Sequence, residues 1–126
     1  MSATFPRRGE IYYTNLDPVF GSEQGGRRPV LIIQNDPNNQ YSPVVIIASI
    51  TSTPARSARP TDVSIAAGEA GLTKQSRILL NQLRTLDKRR LERYIGRLDA
   101  AQMAQVDQAI KVSLGLVPVR PTGRSK

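Results

Sequence analysis

The apolar positions of this 126-residue chain fall mostly in short runs with little helical period, which predicts a sheet-dominated domain. Gly9 to Leu16 is rich in β-formers and is broken by Asp17-Pro18, so it is a predicted first strand. Val30 to Gln34 is a short continuous run of branched residues, expected as a buried strand. Asn35 to Pro43, with two prolines and three asparagines, is a turn or short irregular helix. It leads into Val44 to Thr51, the most strand-like segment and the expected central strand. After a small-residue, proline-rich loop over 52–60, a short strand is expected near Asp62 to Ile65, then a glycine turn over Ala66 to Leu72. Ser76 to Leu86 reads as a long strand interrupted by polar residues that need partners. Asp87 is placed to cap a helical turn through Leu91, and Tyr94 to Leu98 is a final strand. The one clear helical period comes last. Asp99 and Gln102 form a capping box, Met103, Val106, Ile110 and Leu114 follow at spacings of three and four, and Gly115 is a natural stop. The sum is a compact, mainly antiparallel β domain with a packed C-terminal helix, consistent with a small barrel.

Composition changes this picture by exclusion. With no cysteine and no histidine, the chain has no disulfide, no thiol nucleophile, no Cys- or His-based zinc site and no imidazole base. The first residues contain no apolar signal region and no window is long enough to span a membrane, so a cytoplasmic protein without membrane attachment is expected. Eighteen basic against ten acidic side chains give a net charge of +8 and point to a polyanionic partner. Fourteen of those cations are arginine, which favours RNA or DNA over a lipid surface.

Candidate chemistry concentrates between the first two predicted strands, in Asp17-Pro18-Val19-Phe20-Gly21-Ser22-Glu23-Gln24-Gly25-Gly26-Arg27-Arg28-Pro29. Gly25 and Gly26 allow positive φ and close backbone approach, while the polar neighbours supply donors, acceptors and fixed charge. Such a loop can hold an anion, or it is an ordinary hairpin loop with solvated arginines.

Arg8-Gly9-Glu10-Ile11-Tyr12, Asp17-Pro18, Gly21-Ser22-Glu23-Gln24-Gly25-Gly26 and Arg28-Pro29-Val30-Leu31-Ile32-Ile33-Gln34-Asn35-Asp36 together closely resemble the MazF/PemK family of toxin endoribonucleases of type II toxin-antitoxin systems. Ser42-Pro43, Ala48 to Thr51, Leu79 to Lys88 and the terminal helix continue the resemblance in order, over about residues 7 to 116. It implies a mainly β (α+β) fold: a small SH3-like antiparallel barrel of the CcdB/Kid/MazF type with a C-terminal α-helix. It divides the chain into an N-terminal extension (1–7), one toxin domain (8–116) and a basic, disordered tail (117–126). It further implies a homodimer that cleaves single-stranded RNA at a short sequence, without metal or other cofactor. The RNA's 2′-hydroxyl would be the nucleophile, leaving a 2′,3′-cyclic phosphate and a 5′-hydroxyl. A cognate MazE-like antitoxin with an acidic, flexible segment would compete for the RNA groove.

On this resemblance Arg28 and Thr51 occupy the catalytic positions, a guanidinium fork and a hydroxyl suited to the non-bridging oxygens of a phosphate. Glu23, the only carboxylate in the loop after Asp17, either accepts the 2′-hydroxyl proton or pairs with Arg27 or Arg28. Ser22, Gln24, Gly25, Gly26, Ser76 and Gln82 are expected to bind RNA, with Arg56 and Arg59 tracking its backbone. Gln82 and Asn81 have an alternative task, satisfying buried backbone groups. Three departures from the family pattern bear on sequence choice: Arg27 in place of a small apolar residue, Asn81 in place of glutamate, and the longer basic tail. A CcdB-like toxin acting on a protein such as DNA gyrase, and a basic RNA-binding module without activity, are the competing functions.

Overall fold

Both faces of the central strands are covered, which is why their apolar runs are unbroken. The structure, a computed structural model, describes residues 4–119, so residues 120–126 of the expected disordered tail lie outside the described residues. Its elements are β1 (Glu10–Asn15), β2 (Arg27–Ile32), α1 (Asp36–Tyr41), β3 (Val44–Thr51), β4 (Asp62–Ile65), β5 (Ser76–Asp87), β6 (Leu91–Arg97) and α2 (Ala100–Ser113). The strands form one antiparallel sheet in the order β4-β5-β3-β2-β1-β6, with β3 inside it as expected. Alternate residues of β2 and β3 go to opposite faces. Leu31, Ala48 and Ile50 join Ile11, Ile65, Ile78, Leu80 and Val106 in one cluster. Val30, Ile32, Val45 and Ile47 join Leu16 and Leu86 in the other.

The barrel is completed by contact rather than by a ladder. The β4–β5 turn packs on β6 so closely that a Cβ at Gly71 would collide with the carbonyl of Ile95, and one at Gly96 with the carbonyl of Ala70. α2 lies over β4 and β5 and contributes Val106 and Ala109 to the first cluster. Its capping box is complete: Gln102 N donates to Asp99 Oδ1 (2.8 Å) and Asp99 N to Gln102 Oε1 (2.9 Å). Leu114, expected on the buried stripe, is instead the C-cap residue and is exposed.

Two boundaries differ from the sequence pattern in ways that matter for the site. β2 begins at Arg27, because Asn15, Thr14 and Tyr13 of β1 pair with Arg27, Arg28 and Pro29. The paired arginines are therefore strand residues, not the end of a loop. β5 also carries an irregularity: Ala48 pairs with Leu83, but Ser49 pairs with Leu79, leaving Leu80, Asn81 and Gln82 outside the β3 register. This bulge accounts for the polar interruption in an apolar strand, since Asn81 is exposed and Gln82 is free to reach elsewhere. β6 likewise starts earlier than expected, at Leu91, directly after a single 3-10 turn (Lys88–Arg90) capped by Asp87.

Candidate active site

β2 and β3 pair over only three residues, Val30 with Ser49, Leu31 with Ala48, and Ile32 with Ile47. Continuing that register past its last pair sets Pro29 opposite Ile50 and Arg28 opposite Thr51. The ladder stops there, at a proline that has no N–H to offer. The opening is a cleft of about 270 Å³, lined by Arg27, Arg28 and Pro29 of β2, Ile50 and Thr51 of β3, Tyr13 of β1, and Leu72, Thr73, Lys74 and Ser76 from the β4–β5 connection.

Each of the two central side chains is held by one hydrogen bond that leaves its useful donors free. Arg28 Nε donates to Gly25 O (2.7 Å), and neither terminal amine has a protein partner among the described residues. Thr51 is buried, and its Oγ1 accepts from Thr53 N (3.2 Å), which leaves the hydroxyl proton to donate. Thr53 is itself anchored: its carbonyl accepts from Arg77 Nε (2.8 Å), and Arg77 is paired with the buried carboxylate of Asp62 (2.8 Å). Three cations and no carboxylate line the cleft. Arg27 is bound to Glu92 of β6, so the uncompensated charge belongs to Arg28 and Lys74.

The loop from 17 to 26 is tied down at several points. Leu16 N donates to Gly26 O (2.9 Å) and Gly26 N to Asp17 Oδ1 (2.9 Å), while Arg84 and Arg90 donate to the carbonyls of Leu16 (2.5 Å), Asn15 (2.5 Å) and Asp17 (2.9 Å). Gly26 takes φ +77 as expected of it, but the requirement at Gly25 is space: a Cβ there would lie 2.6 Å from Val19 Cγ2 and 2.8 Å from Asp17 Oδ1. A second cleft of about 260 Å³ is lined by Pro18, Glu23 and Gln24 of this loop with Ser49, Gln82, Leu83 and Arg84. Gln82 Oε1 accepts from Gln24 N (3.3 Å), which joins the β5 bulge to the loop and leaves the Gln82 amide N–H groups available.

A model of the PemK-like, MazF-like toxins of type II toxin-antitoxin systems matches residues 7–114. The chain belongs to this family. It is 49% identical over 111 residues to Endoribonuclease EndoA of Bacillus subtilis (strain 168), covering 88% of this chain and 96% of the relative. It is 52% identical over 110 residues to Endoribonuclease MazF of Staphylococcus epidermidis, covering 87% and 92%. Among solved structures, MazF from Deinococcus radiodurans superposes with a TM-score of 0.76 at 28% identity, over 90% of this chain and 99% of that one. A mycobacterial endoribonuclease in complex with its cognate antitoxin superposes with a TM-score of 0.75 at 27% identity, over 89% and 97%. The mainly β (α+β) barrel with a C-terminal helix is thus the fold of this toxin family.

Within that family frame the site residues divide between the two clefts. Arg28, Thr51 and Ser76 share the first, with the Ser76 hydroxyl donating to Lys74 O (2.8 Å). Glu23, Gln24 and Gln82 line the second. Glu23 pairs with neither arginine; it is exposed, and its Oε1 accepts from Phe20 N (2.8 Å), closing the turn at the loop tip. Ser22 is exposed at that tip, and Arg56 and Arg59 are exposed on the 52–60 loop and do not line the first cleft. Sequence reasoning missed Tyr13 and Lys74, which reach the cleft from β1 and from the β4–β5 connection. Among the described residues no group of three or more histidines, cysteines or carboxylates is placed to hold a metal ion, and no helix is long and apolar enough to cross a membrane.

Proposed function

We propose that the chain is an endoribonuclease toxin that cleaves single-stranded RNA at a short sequence, without a metal ion, by attack of the RNA's own 2′-hydroxyl. The observation that carries this is the pair that shares the first cleft, Arg28 and Thr51: a guanidinium with both terminal amines free and a buried hydroxyl free to donate. The 2′-oxygen bonds to phosphorus, the bond from phosphorus to the 5′-oxygen breaks, and the 2′-hydroxyl loses its proton while the leaving oxygen gains one. The products are a 2′,3′-cyclic phosphate and a 5′-hydroxyl. Such a reaction needs in-line positioning and stabilisation of the extra phosphorane charge, not a protein nucleophile. Arg28 supplies that charge to the non-bridging oxygens and Thr51 adds one hydrogen bond, both already oriented before substrate arrives.

The second cleft then receives bases next to the cut, with Gln24 and Gln82 reading their edges and Ser22, Gly25, Gly26 and Ser76 bordering the path. Arg56 and Arg59 track the outgoing backbone. Glu23 supports the loop rather than moving the proton. The toxin domain is residues 8–116, between a short N-terminal extension and a basic tail, and it works as a homodimer. With a net charge of +8, it suits an antitoxin whose acidic segment competes for the cationic cleft.

Incubating purified protein with a long single-stranded transcript in EDTA tests the proposal. Discrete fragments with 5′-hydroxyl ends are expected, with cleavage falling at least about 10²-fold in Arg28→Ala. Intact RNA, with or without inhibition of a protein target such as DNA gyrase, would overturn it.

A further inference from the structure

Lys74 lines the first cleft together with Arg28 but comes from a separate segment, the β4–β5 connection, and nothing in the chemistry above uses it. Its backbone is fixed from both sides. Ser76 Oγ donates to its carbonyl (2.8 Å), and the preceding turn is closed by Gly68 N to Leu72 O (2.7 Å) and Leu72 N to Glu69 O (2.9 Å). That turn is seated on β6 through Gly71, and Gln102 of α2 donates to the Glu69 carboxylate (2.9 Å). The side chain by contrast is exposed and makes no ion pair among the described residues. An ammonium on an anchored backbone, beside a cleft with no carboxylate in its lining, has one evident ligand class. It is a point-charge partner for phosphate.

We propose that Lys74 binds the RNA phosphate adjacent to the one being cleaved, so that the strand is clamped between β2 and the β4–β5 turn. The reacting phosphate already has Arg28 and Thr51 for its two non-bridging oxygens, so the charge of Lys74 is left for its neighbour along the chain. Lys74 acts on binding and in-line placement of the strand, not on the charge that develops at the cut. This rests on the endoribonuclease reading, and the measurements below separate the two.

The test uses the full chain, a transcript of diverse sequence for cleavage, and a fluorescent oligoribonucleotide of the mapped site with 2′-deoxy at the attacking position for binding. Lys74→Met is expected to raise KM and weaken binding of the oligonucleotide about tenfold, with kcat within about twofold. The salt dependence of binding should flatten by about 0.7 in the logarithmic slope, the share of one phosphate contact on a single strand. Lys74→Arg should restore most of both, and Lys111→Met, the same charge change on α2, should alter neither. Unchanged KM and salt slope in Lys74→Met would overturn the assignment, as would a fall in kcat at unchanged KM, which would place Lys74 on the reacting phosphate. If wild-type protein leaves the transcript intact, the endoribonuclease reading fails, while the same binding and salt measurements on a fluorescent single-stranded oligoribonucleotide of mixed sequence still decide whether Lys74 contacts an RNA phosphate.

Discussion

Replacing Thr51 by valine and by serine should move activity and stability in opposite orders. Valine keeps the buried shape and removes only the hydroxyl; serine keeps the hydroxyl and removes a methyl. The hydrogen bond that valine loses is long, at 3.2 Å, and its donor belongs to an exposed residue, Thr53, so water can take it over. That places the loss at the low end of the usual range, about 0.5 kcal/mol. Serine gives up a buried methyl worth about 1 kcal/mol. For a chain of this size 1 kcal/mol corresponds to about 4 °C in Tm. Valine should therefore melt about 2 °C below wild type and serine about 4 °C below. In cleavage the order reverses. Loss of one oriented donor to the phosphorane costs about 10²–10³ in rate, so Thr51→Val should lose that much while Thr51→Ser stays within about tenfold. The assay is kcat/KM on a single-stranded transcript in EDTA at 25 °C, with melting followed by circular dichroism on the same preparations. A valine variant that cleaves within threefold of wild type, or serine and valine variants equally impaired, would refute the role given to the hydroxyl.

Glu23→Gln retains an amide oxygen to accept from Phe20 N, so its cleavage rate should stay within about threefold with an unshifted pH profile, while Glu23→Ala loosens the turn and loses about tenfold. Equal losses in both, with one limb of the pH profile gone, would instead make Glu23 a proton carrier. Asp36 gives a pH dependence of stability. The Arg8 N–H donates to its Oδ1 (2.7 Å) and, with help from Asn39, holds the carboxyl below its ordinary value of 3.8. A depressed folded pKa contributes stability that is present above 3.8 and disappears as pH falls through the lower folded value. In urea titrations the gap between wild type and Asp36→Asn should be constant near neutral pH and narrow below pH 3.8; a gap that widens there would contradict this.

Most strands were legible because burial on both faces writes itself as unbroken apolar runs, as at Val44 to Thr51, and α2 because its period and both halves of its capping box are local. The start of β2 was not, since Gly26-Arg27-Arg28-Pro29 has no strand propensity and becomes strand only through pairing with β1. The β5 bulge left a trace, polar Asn81-Gln82 in an apolar run, but its partner Gln24 lies 58 residues away. Arg28 and Thr51 were found by resemblance; what no local pattern shows is that β2 and β3 bring them to one cleft. Lys74 sits in a turn whose sequence gives no reason to prefer it over any surface lysine, and only the seating of that turn on β6 brings it to the cleft.

That seating has a genetic consequence. At Gly71 and Gly96 every missense change adds at least a Cβ where the packing leaves room for none, because the obstacle in each case is backbone rather than a side chain that could swing away. The two codons lie outside both clefts, yet either can unseat the wall that carries Lys74 and Ser76. A single nucleotide change can thus disarm the chain from outside either cleft.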